Sequence, residues 1–285
     1  MKRNLTIFII LLTLFLIFWN YTIVLGSTTY AIEMWKNKVF PYLFIMIVLI
    51  DLLNSLNVAN YFKNPSLYII ILSFFSGTPS SSVVISFLYK SGKISKEYAN
   101  ISLIYTSLPN PLFLYTMLIS LFNTKKIVIT LIVVLYLSNI LLYLFYKRSL
   151  PDVSFSYDKN SVNIAASIKK GLNTCLFVLG TIIFFLTITN LFIYTFHMPK
   201  VLSVFFKGIL EMTQGLNCLI NLSIFGKVYI AMFFFAFQGL AIHTQVYYIL
   251  QDNGLDYNYF LKGRILSSFL VLIGTSLAIA VWECV

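Results

Sequence analysis

Charge is what this sequence most lacks. Of 285 residues only 10% are Asp, Glu, Lys or Arg, and nine of them are acidic. A soluble globular domain carries roughly a quarter charged residues to cover its surface, so an ordinary soluble enzyme is excluded and most of the outside needs a non-aqueous solvent. The bilayer is that solvent. Arginine is scarcer still, three against 17 lysines, and many Ile, Phe, Tyr and Asn accompany this bias, so genomic A+T content explains part of the basicity as readily as function does. The formal net charge of +11 falls in short clusters between apolar runs and forms no single basic face, which excludes disorder and nucleic-acid binding. The three cysteines, Cys175, Cys218 and Cys284, have no Cys-x-x-Cys or Cys/His spacing and imply neither a disulfide nor a metal site. Also missing are a phosphate-binding Gly-Lys-Ser/Thr loop, His-Glu-x-x-His and Gly-x-Ser-x-Gly. Transport driven by ATP hydrolysis within this chain is therefore not expected, nor is an enzyme or a cofactor. An intramembrane hydrolase would need Ser80, Ser81 or Ser82 to approach His243 beside a third orienting group, and none is evident.

What is abundant is apolar, at 59% of residues with 17% aromatic. Runs at 5–25, 39–57, 127–146, 173–196 and 260–281 each approach the ~20 residues that cross a hydrocarbon core. The first exceeds a typical signal-peptide core and reads as an uncleaved helix within 1–26, with Lys2 and Arg3 placing the N-terminus in the cytoplasm. Residues 28–38, with Glu33, Trp35, Lys36 and Lys38, read as a short interfacial helix. A polar linker at 149–170 separates a first gate-like unit, 27–148, from a second, 171–285.

Three segments are interrupted. Ser76-Gly77-Thr78-Pro79-Ser80-Ser81-Ser82 breaks one apolar run, Gln238-Gly239-Leu240-Ala241-Ile242-His243-Thr244-Gln245 a second, and Leu108-Pro109-Asn110-Pro111 a third. Lipid cannot satisfy the N–H and C=O groups that such breaks release, so the irregular backbone must be buried in protein or line a wet cavity. Laying Gly77 on Gly239 gives an offset of 162 that also carries Ser82 to Thr244 and Gly92 to Gly254. Coincidence between two apolar segments is the plain alternative. Paired interruptions in two halves are the pointer to a carrier with its site at a repeat interface. The expected fold is all-α, a polytopic membrane protein of two structural repeats, each with a broken or re-entrant helix hairpin.

Each half-helix beginning at a break has unpartnered N–H groups and a partial positive charge. Two such ends form a cradle for a small organic anion. The candidate contacts are Gly77, Thr78, Ser80, Ser81, Ser82 and Asn110 in the first half and Thr213, Gly239, His243, Thr244 and Gln245 in the second. Serine at a helix start more commonly serves as a cap. Glu211, ionisable within an apolar stretch, is a candidate coupling group; pairing with Lys207 one turn earlier is its alternative. Asp51, near the end of its span, is a second coupling candidate.

At these same residues the sequence resembles the YlbJ-type sporulation integral membrane proteins of the nucleoside-recognition or gate-domain family. Val39-Phe40-Pro41-Tyr42-Leu43-Phe44 is similar to that family's Leu-Phe-Pro-Phe segment, and Ser76-Gly77-Thr78-Pro79 to its Ser-Gly-Tyr-Pro. Asn110-Pro111-Leu112-Phe113, Glu211-Met212-Thr213-Gln214-Gly215 and Gly239-Leu240-Ala241-Ile242-His243-Thr244-Gln245 resemble its Asn-Pro-Leu-Phe, Glu-Ile-Thr-x-Gly and Gly-Leu-Ser-x-His-x-Gln. The likeness runs in consistent order from about 39 to 275 and departs from the pattern at Ser81, Leu108-Pro109 and Ala241. It implies a fold distantly like concentrative nucleoside transporters and the movement of dipicolinate, pyridine-2,6-dicarboxylate, across the outer forespore membrane. A non-transporting assembly factor and a nucleoside-type carrier are the alternatives. Homo-oligomerisation is left open.

Overall fold

The computed structural model describes residues 2–62, 64–151, 163–219 and 224–283. Half of the polar linker, including Asp152, Asp158 and Lys159, lies outside the described residues, as does Cys284. Among the described residues every regular element is helical.

The chain opens with α1, Lys2–Trp19, and α2, Tyr21–Met34. The full-length span expected at 5–25 is not formed: α1 stops at Trp19 because Asn20 leaves the helical region and its side-chain amide takes the Leu16 carbonyl at 3.0 Å. Nor does a boundary fall at residue 26. α2 continues through a π turn, Trp35–Val39, directly into α3, Phe40–Ser55, as one 35-residue helical run, Tyr21–Ser55. This corrects the separate interfacial helix expected at 28–38. The N–H of Phe40 reaches back five residues to the Trp35 carbonyl, and the register change sits just before Pro41, where the ladder loses a donor in any case.

Beyond α3 the two halves pass through the same order of elements. The first half continues with α4, Pro65–Ser76, and α5, Ser80–Lys90, which fold back on each other as a hairpin. α6, Lys96–Thr106, and α7, Pro111–Phe122, then form an interrupted helix that packs along α8, Lys125–Tyr146. The second half begins with α9, Ile164–Thr195, followed by a hairpin of α10, Lys200–Leu210, and α11, Met212–Cys218. Its interrupted helix is α12, Ile224–Phe237, with α13, Gly239–Asp252, and it closes with α14, Tyr257–Glu283. The α10/α11 hairpin is drawn tight by small residues, since a Cβ on Gly215 would lie 2.6 Å from the Gly208 nitrogen.

Among the described residues five helical runs are long and apolar enough to cross a membrane: Tyr21–Ser55, Lys125–Ser149, Ile164–Thr195, Gly226–Asp252 and Tyr257–Trp282. By contrast, α4, α5, α6, α7, α10 and α11 have 7 to 12 residues each. At 1.5 Å per residue none of them spans ~30 Å alone.

Two pairs of long helices run antiparallel to each other. α3 runs antiparallel to α9, with Asp51 beside Lys170 at one end and Leu43 packed with Val178 and Ile182 farther along. α8 runs antiparallel to α14, Asn139 meeting Arg264 and Val134 meeting Gly274. α14 also crosses α6 backbone to backbone, where a Cβ on Gly263 would stand 2.7 Å from Ile104 Cα. These contacts press the interrupted segments together at the centre.

Candidate binding site at four helix breaks

The structure contains the three breaks expected from sequence and a fourth, at Glu211 between α10 and α11. Within each half the breaks abut. Gly77 has φ +71° and ψ −178°, and a Cβ there would lie 2.7 Å from the Asn110 backbone nitrogen; Gly239, at φ +67°, would place one 3.0 Å from the Met212 nitrogen. Only glycine tolerates both the dihedral and the approach at these points. The halves are then tied to each other, because the Gln238 side-chain amide donates to the Ser107 carbonyl at 3.0 Å.

A helix ending inside a low-dielectric layer releases carbonyls that must find donors, and here side chains supply them. Asn110 Nδ2 donates to the Phe75 carbonyl at 2.5 Å. The Leu108 carbonyl accepts from the Thr78 N–H at 2.9 Å and from the Thr78 hydroxyl at 3.1 Å, and the Pro109 carbonyl from the Tyr136 hydroxyl at 2.8 Å. At the other break Arg264 donates to the Ala236 carbonyl at 3.2 Å and His243 Nε2 to the Phe237 carbonyl at 2.8 Å.

The half-helix starts are treated unequally. α7 is capped by Asn110, whose Oδ1 accepts from the N–H groups of Leu112 and Phe113. α11 is capped by Glu211, whose two oxygens accept from Thr213 at 3.2 Å and Gln214 at 2.7 Å. No side chain caps α5, preceded by Pro79, or α13, preceded by Gln238. Both uncapped starts border one cavity of about 110 Å³, room for several water molecules. Ser76, Thr78, Pro79 and Asn110 line it from the first half, and Glu211, Met212, Thr213, Gln238, Ala241, Ile242 and Gln245 from the second. Tyr42, Phe113, Val178 and Ile182 add apolar walls, and Lys38 stands at the edge. A mostly apolar concavity with a few convergent polar groups is the usual form of a small-molecule site.

Of the residues expected from sequence, Thr78, Asn110, Glu211, Thr213 and Gln245 share this cavity, while Gly77 and Gly239 shape it through their backbones. The others fall elsewhere. Ser80, Ser81 and Ser82 are buried behind Pro79, and their hydroxyls have no hydrogen-bond partner among the described residues. Thr244 is exposed and faces a shallow groove with Phe184 and Phe185 on α9. His243 turns away from the cavity: besides Phe237 it meets the Tyr257 hydroxyl at 2.6 Å, so both ring nitrogens are occupied. Asp51 is distant from the breaks, ion-paired with Lys170 and bonded by the Ser167 hydroxyl at 2.8 Å. Glu211 is 4% exposed and takes backbone amides, whereas Lys207 reaches the Cys218 sulfur at 3.6 Å. The expected alternative pairing of Glu211 with Lys207 is not what holds either residue.

Sequence reasoning missed Arg264. It is fully buried on α14 and bridges the Ala236 carbonyl to Asn139 Oδ1 at 3.0 Å, with Phe260 beneath its guanidinium. The signal was available, since an arginine inside a recognised apolar span marks a functional or structural site by default.

Long apolar helices, with irregular backbone only where it is buried or lines a cavity, define an all-α polytopic integral membrane protein. No protein-family profile matches the chain, and neither does any solved structure. Among characterised sequences it is similar to the sporulation integral membrane protein YlbJ of Bacillus subtilis (strain 168), 23% identical over 297 residues that cover 83% of this chain and 72% of that protein. The similarity supports a YlbJ-like membrane protein.

Proposed function

We propose that the chain carries a small organic anion, dipicolinate first, across a membrane during spore formation, with alternating access about the cavity where the four breaks meet. One observation carries this reading: the only half-helix starts at the breaks without a side-chain cap, those of α5 and α13, come one from each half and border the same cavity. At α5 the Ser81 and Ser82 N–H groups donate to the Gly77 and Pro79 carbonyls, both at 3.0 Å, so it is the positive end of each helix dipole, bare of a side-chain acceptor, that suits a carboxylate. The name of the Bacillus subtilis relative, a sporulation integral membrane protein, supports the sporulation setting, and the outer forespore membrane is the proposed place.

The two halves are proposed to be inverted repeats in which α3 to α8 correspond to α9 to α14. Supporting this is the antiparallel pairing of equivalent helices, α3 with α9 and α8 with α14, which a twofold axis in the membrane plane produces. Matching by element order lays the α4/α5 break on Glu211 and the Asn110 break on Gln238. The 162-residue offset instead lays α3 on α10 and α11.

The test is uptake of radiolabelled dipicolinate by liposomes containing the full chain. Saturable uptake is expected, lowered by Glu211→Gln with folded protein still recovered. Uptake no greater than in empty liposomes would sink the carrier reading and favour a packing role for the breaks in an assembly factor, which the close approach of Gly239 to Met212 also fits.

A further inference from the structure

Lys38 stands at an unusual height for a lysine. It lies at the midpoint of the unbroken helical run Tyr21–Ser55, which at 1.5 Å per residue is about 50 Å long. On the other side of the cavity Val178 and Ile182 flank the midpoint of α9, the 32-residue helix that runs antiparallel to it. The lysine is therefore halfway along two helices that each exceed the ~30 Å hydrocarbon thickness. An ionisable side chain at such a height is costly unless it has a partner.

No hydrogen bond or ion pair engages Lys38 among the described residues, and it is the one basic residue lining the cavity. Its backbone is held by its neighbours. It sits in the π turn Trp35–Val39, and the Trp35 indole donates to the Cys175 carbonyl of α9 at 3.2 Å. π turns within α-helices recur at functional positions because they re-aim one side chain against the helix register.

We infer that Lys38 is a substrate-binding residue, its ammonium pairing with one carboxylate of the anion while the uncapped starts of α5 and α13 take the other. The inference rests on the carrier reading above and deepens it by assigning the cationic contact for one of the two carboxylates. Glu211, the one acidic residue in the lining, has its oxygens engaged by the α11 amides and leaves the lysine to the ligand.

The experiment compares uptake of dipicolinate and of picolinate, which lacks one carboxylate, by liposomes containing the wild-type chain, Lys38→Gln or Lys38→Arg. An ion-paired contact is worth about a tenfold to hundredfold change in affinity. Lys38→Gln is thus expected to raise the KM for dipicolinate at least about tenfold while moving that for picolinate less than about threefold. Lys38→Arg should keep the dicarboxylate preference. An unchanged dipicolinate KM, or equal shifts for both substrates, overturns the assignment of Lys38 while the carrier reading stands. Wild-type uptake at the empty-liposome level instead removes the carrier reading and the inference together. Because Lys38 is exposed and holds no structural bond, Lys38→Gln should be recovered folded at the wild-type melting temperature, and that measurement accompanies the uptake assay.

Discussion

Gly77→Ala puts the central geometry at risk in a measurable way. The residue has φ +71° and ψ −178°, a conformation open essentially to glycine alone, so the backbone term alone is about 1–3 kcal/mol. The new methyl group would stand 2.7 Å from the Asn110 nitrogen, about 1 Å inside an ordinary contact, so Asn110 has to move. Asn110 caps α7 and holds the Phe75 carbonyl, and losing a cap costs about 0.5–2 kcal/mol more. The sum is about 1.5–5 kcal/mol. Gly92 supplies the control. It has φ +68° with no atom near an added Cβ, so Gly92→Ala carries only the left-handed backbone penalty of about 1–2 kcal/mol. Thermal unfolding in one detergent should therefore show a drop about twice as large for Gly77→Ala as for Gly92→Ala, at roughly 2–4 °C per kcal/mol. Dipicolinate uptake per folded molecule should fall only in Gly77→Ala. Equal drops in melting temperature would refute the claim that the first two breaks brace each other.

Three further outcomes follow from the same contacts. His243→Ala leaves the Phe237 carbonyl without its donor and should cost about 1–3 kcal/mol while the KM for uptake stays put; a shifted KM at an unchanged melting temperature would return His243 to the binding site. Asp51→Asn removes a partly exposed ion pair worth at most about 1 kcal/mol and should leave uptake and its pH dependence intact, so that abolished uptake at full folded yield would restore Asp51 as a coupling group. Arg264→Lys cannot reproduce a fork that serves both the Ala236 carbonyl and Asn139; it should melt clearly lower, and adding Asn139→Ala should cost little more, whereas additive losses in the double-mutant cycle would separate the two residues.

Much of the architecture was legible because glycine and proline punctuate it. Gly77, Pro79, Pro109 and Pro111 stop helices for reasons any sequence reveals, and the long apolar runs at 127–146, 173–196 and 260–281 fall within helices α8, α9 and α14, apart from residue 196 at the end of α9. The fourth break was not legible as a break. Glu211 is simply extended, at φ −136°, a conformation that needs no special residue, and its only mark is a carboxylate three positions ahead of Gln214 at a helix start. Charge misled in one place: Glu33, Trp35, Lys36 and Lys38 suggested a separate interfacial helix at 28–38, yet a π turn carries one helix from Tyr21 to Ser55, with Lys38 at its midpoint. Orientation was beyond the pattern altogether. His243, Thr244 and Gln245 are consecutive on α13, and a helix aims three consecutive side chains in three directions. One holds the broken backbone, one faces outward and one enters the cavity.

A carboxylate inside a proposed anion site looks self-defeating, and its geometry resolves the conflict. Glu211 sits at the start of α11, where unpartnered N–H groups present positive charge, and both of its oxygens accept from that end. In the α4/α5 hairpin Pro79 precedes the second helix, a residue with no side-chain acceptor, and α5 begins without a side-chain cap. One hairpin thus carries its own side-chain acceptor covalently while the other starts with none. The interrupted helices repeat the contrast, Asn110 capping α7 in the first half while nothing caps α13 in the second. Each half contributes one closed and one open helix end, and the open ends meet across the cavity. That alternation leaves the lining one pair of open ends, the cradle proposed above for a single carboxylate, and Glu211 stays tied to its own helix.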